Sequence, residues 1–108
     1  MTDLELAELA KAFAAPSRVA ILRQVARRAL CVDAIAREIG VTPSAVSQHL
    51  RRLADAGLVH GERMGYHVHY RLCDGPIRRI REELGLLLTA EQTCACQGPD
   101  ECPARDRE

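Results

Sequence analysis

Cysteine stands at positions 94, 96 and 102, within the run Cys94-Ala95-Cys96-Gln97-Gly98-Pro99-Asp100-Glu101-Cys102. Thiolates bind soft ions. Three of them with no histidine nearby suit a trigonal sulfur site for trivalent arsenic or antimony. Zinc would ask for a fourth ligand from Asp100, Glu101 or a partner chain, and cadmium, lead and copper(I) accept the same donors. The spacing restricts the backbone. On an α-helix each residue turns by about 100°, so Cys94 and Cys96 would point about 200° apart and could not converge. In an extended segment both fall on one face, about 6.6 Å apart along the chain. Gly98-Pro99-Asp100 is a turn signal that can return Cys102 as the third ligand. The competing readings are a thiol redox or persulfide sensor, and a tail whose thiols are incidental.

Two further cysteines, Cys31 and Cys73, make the total five. An odd number, with no sign of export, argues for reduced thiols rather than a disulfide framework. Free cysteine is among the most buried residue types, so Cys31 and Cys73 are read as packing residues before ligands.

A second constellation is basic and polar. Ser44, Ser47, Gln48, Arg51 and Arg52 fall on one side of a helix whose other side carries Val46, Leu50 and Leu53. Thr42-Pro43 marks the start of that helix, as a capping hydroxyl followed by a proline at the first helical position, and Gly57 marks its end. Glutamine is suited to adenine and arginine to guanine or to phosphate, so this face is a candidate reader of double-stranded DNA.

The elements around it fit that role. Asp3 to Ala14 reads as a first helix. Ser17 is the expected N-cap of a second, Arg18 to about Arg28, and Val32 to Glu38 forms a short third ended by Gly40. From Leu58 to Leu72 the period changes to two around Met64-Gly65, which is a β-hairpin. Pro76 opens a last helix whose stripe of Ile77, Ile80, Leu84, Leu87 and Leu88 asks for a partner. Helix, turn of Gly40-Val41-Thr42, helix and hairpin make a winged helix-turn-helix, mainly α with a two-stranded β-wing. The second helix of the pair then enters the major groove, with His49 on it. Arg63, His67 and Arg71 on the wing meet backbone or minor groove. His67 and His69 alternate with apolar residues and could pair on a metal, but exposed wing histidines near phosphate are the plainer reading.

Composition bounds these readings. At 108 residues the chain holds one core, which must be aliphatic because only 3% of residues are aromatic. The net charge of zero hides an asymmetry. Residues 11 to 81 hold 13 Lys and Arg against 5 Asp and Glu, a net +8, while the first ten residues carry −3 and residues 82 to 108 carry −5. A basic centre between acidic ends fits a polyanion partner. No membrane span or secretory signal is visible, so a cytoplasmic location is expected. No nucleophile, base and orienting residue form a set, and no phosphate loop is present, which argues against an enzyme.

The runs Ala14-Ala15-Pro16-Ser17-Arg18-Val19-Ala20-Ile21-Leu22, Thr42-Pro43-Ser44-Ala45-Val46-Ser47-Gln48-His49-Leu50-Arg51-Arg52-Leu53 and Ala56-Gly57-Leu58-Val59 resemble the ArsR/SmtB family of repressors. So do Arg63-Met64-Gly65 and Tyr70-Arg71-Leu72. The likeness runs from about Leu9 to Leu88. It implies a homodimer with the first and last helices at its interface, bound to a two-fold operator until an inducer ion weakens it. Residues 1–90 would form the DNA-binding and dimerisation domain, and residues 91–108 a cysteine-containing tail. Leu30-Cys31-Val32 matches part of the metal box of arsenic-type relatives, with Asp33 where their second cysteine stands. Asp74 lies where zinc-type relatives begin a carboxylate and histidine site, but no histidine follows on that helix and that site is rejected.

Overall fold

The computed structural model describes residues 1–98 and Asp100. Thr2 starts the first helix, α1 (Asp3–Ala10), with a capping box. Its hydroxyl accepts from the Glu5 backbone N–H at 3.1 Å, and the Glu5 carboxylate accepts from the Thr2 backbone N–H at 3.4 Å. The regular helix stops at Ala10 and tightens into a 3₁₀ turn, Lys11–Phe13, so the continuous helix expected through Ala14 is shorter.

Helix α2 (Pro16–Val25) begins with Pro16 at the first helical position and extended Ala15 as its N-cap. Ser17 therefore lies inside the first turn rather than capping it, because proline pre-sets the helical φ one residue earlier than expected. Arg18 turns back and donates from Nε to the Ala12 carbonyl at 2.9 Å and from Nη2 to the Lys11 carbonyl at 3.1 Å. That ties the 3₁₀ turn to α2.

Helix α3 (Val32–Ile39) ends at Gly40, whose φ of +71° is the left-handed conformation that glycine takes at least cost. After Val41, Thr42 caps α4 (Pro43–Asp55), its hydroxyl accepting from the Ala45 N–H at 3.1 Å. Val46, Leu50 and Leu53 of α4 are buried together with Ile21, Leu22 and Val25 of α2, Ile35 and Ala36 of α3, and Leu58. This aliphatic cluster fixes the angle at which α3 presents α4.

The wing differs from the expectation in one respect. Strands β2 (Val59–Met64) and β3 (His67–Leu72) pair as the hairpin, but β1 (Leu30–Cys31) adds a third strand antiparallel to β3. The sheet order is β1-β3-β2, with Leu30 opposite Tyr70 and Cys31 opposite His69. The wing is thus anchored on its inner edge by the segment between α2 and α3.

Helix α5 (Asp74–Leu87) begins two residues before Pro76. Proline is accommodated because first-turn N–H groups have no intrahelical acceptor; the first such bond runs from the Ile77 N–H to the Cys73 carbonyl at 3.1 Å. Arg78 and Asp74 form an ion pair at 2.6 Å. Ile80 is buried and Ile77 packs on the core, whereas Leu86, Leu87 and Leu88 stand exposed, as does Leu4 on α1. The Met1 amino group lies 3.6 Å from Glu83, joining the start of α1 to α5. Among the described residues, no helix is long and apolar enough to cross a membrane.

Candidate nucleic-acid interface and thiol site

Helix α4 separates its two duties by face. Opposite its buried row, Ser44, Ser47, Gln48, Arg51 and Arg52 are all exposed. Among the described residues neither arginine makes an ion pair, so both guanidinium groups are available to an anion. His49 is half-buried on the flank of the helix. Of the expected α4 contacts it alone is partly withdrawn from the open face.

The structure splits the expected wing residues. The register puts Arg63 on the same sheet face as Val59, Gly61, Val68, Tyr70 and Leu72, the side that meets the core near its base. His60, Glu62, Met64, His67, His69 and Arg71 share the other face. Arg63 and His67 are exposed, and Arg71 is exposed but lies 3.6 Å from the Glu62 carboxylate. A duplex would therefore meet Arg63 and Arg71 from opposite sides of the hairpin.

His69 departs from the expectation of an exposed wing histidine. It is half-buried beside the β1 edge, and its Nδ1 is shielded from solvent with no hydrogen-bond partner among the described residues. Period-two alternation places His69 on the outer face but cannot reveal β1, whose Cys31 pairs with it in register.

The thiols fall into two groups. Cys31 is half-buried at the N-cap of α3 and outside the buried core cluster, a more peripheral place than the packing role expected. Cys73 is half-buried at the N-cap of α5, and its backbone N–H donates to the Leu58 carbonyl at 2.9 Å. These two occupy N-cap positions of different helices. Cys94 is exposed and Cys96 half-buried, in a stretch after α5 that is neither helix nor strand. That backbone is non-helical at both cysteines. Cys102, the third expected ligand, lies outside the described residues. Among the described residues, no three His, Cys, Asp or Glu side chains are gathered around a metal-sized position.

Residues 15–60, from the start of α2 to the start of the hairpin, match the model of the bacterial regulatory protein, arsR family. The HTH-type transcriptional repressor SmtB of Mycobacterium tuberculosis is 44% identical over 73 residues, covering 68% of this chain and 54% of that protein. The chain thus spans about half the length of that relative. The HTH-type transcriptional regulator CmtR of Mycobacterium bovis is 34% identical over 93 residues, covering 86% of this chain and 79% of that regulator. Among solved structures, a homodimeric winged helix-turn-helix DNA-binding domain from Mycobacterium bovis superposes with a TM-score of 0.65 at 25% identity, covering 87% of this chain and 97% of that one. The match takes in the capped α4, its turn from α3 and the wing, the parts that the sequence likeness also rests on, and the chain belongs to the arsR family of bacterial regulatory proteins.

Proposed function

We propose that the chain is a homodimeric repressor that binds operator DNA through α4 and the wing, and is released by a trivalent metalloid held by Cys94, Cys96 and Cys102. The observation that carries the DNA-binding part is α4 itself, whose fully buried inner row fixes an outer row of serines, glutamine and unpaired arginines toward solvent. Ser44, Ser47 and Gln48 near its start meet base edges, with His49 at the margin, while Arg51 and Arg52 meet phosphate. Arg63, His67 and Arg71 add backbone or minor-groove contacts from the wing.

Dimerisation is supported by the exposed leucines at the end of α5 together with Leu4, an apolar surface left uncovered among the described residues. A second copy related by a two-fold axis covers it and sets two α4 helices along one side of a duplex. The similar domain from Mycobacterium bovis is described as homodimeric.

For the sensing part, three thiolates favour arsenite or antimonite over ions that need a fourth donor. Residues 91–108 act as the sensor and residues 1–90 as the DNA-binding and dimerisation unit. Ion capture stabilises a dimer conformation that binds DNA less well. Fluorescence anisotropy of the reduced protein on a duplex from upstream of its own gene tests this. Arsenite, antimonite, cadmium and zinc are titrated in parallel, with Cys94→Ser/Cys96→Ser as control. Release by a trivalent metalloid in the wild type alone is the expected result. Binding indifferent to every ion but lost on oxidation would move the assignment to a redox sensor.

A further inference from the structure

The hairpin tip carries a residue that the fold does not use. Gly65 has φ of +71° and Tyr66 does not share a positive φ, so the two-residue turn needs glycine only at its first position. Tyr66 at the second position is 99% exposed, an aromatic ring with nothing beneath it. Met64 and Val68 flank it in register, one on each face of the hairpin, and both are exposed large apolar side chains.

The strands behind the tip are packed together. A Cβ at Gly61 would lie 2.9 Å from Tyr70 Cε1 and 2.9 Å from Val68 Cγ1, so these two side chains fold over Gly61 and brace β3 against β2. On the other edge β1 fixes β3 to the body. Tyr66 thus projects beyond a hairpin that is packed at its middle and paired at its base. Around it the charge is positive. Glu62 is the hairpin's one acidic residue and is engaged by Arg71, while Arg63 makes no ion pair among the described residues.

We infer that Tyr66, with Met64 and Val68 behind it, is a nonpolar wedge that enters the minor groove of duplex DNA and contributes affinity through shape rather than charge. The inference rests on the DNA-binding reading above. An apolar side chain there touches sugars and base edges, or opens a base step, while the adjacent arginine meets the negative potential of the groove. Phosphate contacts release counterions and set the salt slope; a phenol ring releases none.

The test uses the full chain with Tyr66→Ala and Tyr66→Phe, on a duplex from upstream of its own gene and on the same duplex with inosine replacing guanine. Inosine removes the minor-groove amino group and leaves the major-groove acceptors in place. Tyr66→Ala is expected to bind about tenfold more weakly. Its slope of log affinity against log salt and its Tm should be unchanged, because the ring touches nothing in the fold. Tyr66→Phe should retain affinity and respond to inosine as the wild type does, whereas Tyr66→Ala should not respond. A Tyr66→Ala protein that binds both duplexes as the wild type does would overturn the wedge while leaving the DNA-binding reading intact. A wild type that binds neither duplex would overturn both.

Discussion

Helices α4 and α5 carry apolar stripes of the same kind, yet among the described residues one stripe is covered and the other is left partly open. On α4, Val46, Leu50 and Leu53 are at most 1% exposed, enclosed by α2, α3 and the base of the wing. On α5 the stripe fades along the helix, from Ile80 at 5% exposed to Leu84 at 37% and Leu88 at 76%. The first arrangement fixes a surface for reading a ligand. The second leaves a surface that the described residues do not cover; in the proposed dimer a second copy buries it, which would tie stability at α5 to protein concentration in a way that stability at α4 is not.

The largest effect that would break this contrast is expected at the buried row. Leu50→Ala should cost about 2–5 kcal/mol, seen as a lower midpoint in urea, because removing a fully enclosed leucine leaves a cavity as well as losing its transfer free energy. At the open end of α5, Leu87→Glu with Leu88→Glu should instead leave the monomer folded and weaken dimerisation about a hundredfold, as measured by sedimentation equilibrium. A double variant that unfolds outright at all concentrations would remove the distinction between the two stripes. Gly61→Ala tests the wing between them. Its new methyl meets the Tyr70 ring and the Val68 branch, neither of which swings away freely, so a loss of about 1–3 kcal/mol is expected.

Smaller effects sharpen the comparison at the helix starts. Thr42→Ala should cost about 1 kcal/mol by removing the acceptor for the Ala45 N–H, and Thr42→Ser should restore it. At α1 the signal is in pH. Hydrogen bonds from the Thr2 side chain and backbone hold the Glu5 carboxyl below its ordinary range. Its contribution is therefore complete above the ordinary carboxylate range and is lost as the pH falls through the lowered folded value. Acid titration followed by NMR should show the first turn of α1 loosening before α4 changes.

Much of this was legible in the residues, and the reasons are local. Thr42-Pro43 and Gly40 punctuate the helix-turn-helix with side chains that act on their own backbone, so α4 and its exposed face could be read without tertiary information. The hairpin followed from its period of two. Leu30-Cys31 could not be read as a strand, because two residues carry no period and the pairing with β3 is long-range. His69 is harder to place for the same reason, since its neighbour across the sheet edge is Cys31 of β1. Ser17 looked like a cap because of its type, but Pro16 before it already holds a helical φ. Nothing in the residue types singles out Tyr66 in a turn where glycine explains the geometry; only its exposure distinguishes it. In the proposed sensing segment a shared ion asks for a non-helical backbone at Cys94 and Cys96, which the described residues have, while Cys102 lies outside them.

The regulatory claim is tested most directly by linkage. Arsenite affinity of the reduced dimer is measured with and without a saturating duplex from upstream of its own gene, and duplex affinity with and without arsenite. If one conformational equilibrium joins Cys94, Cys96 and Cys102 to α4, the duplex must weaken arsenite binding by the factor by which arsenite weakens duplex binding. A factor of about 5–150 in both directions is the expected result. Arsenite affinity that is the same with and without the duplex would contradict the account.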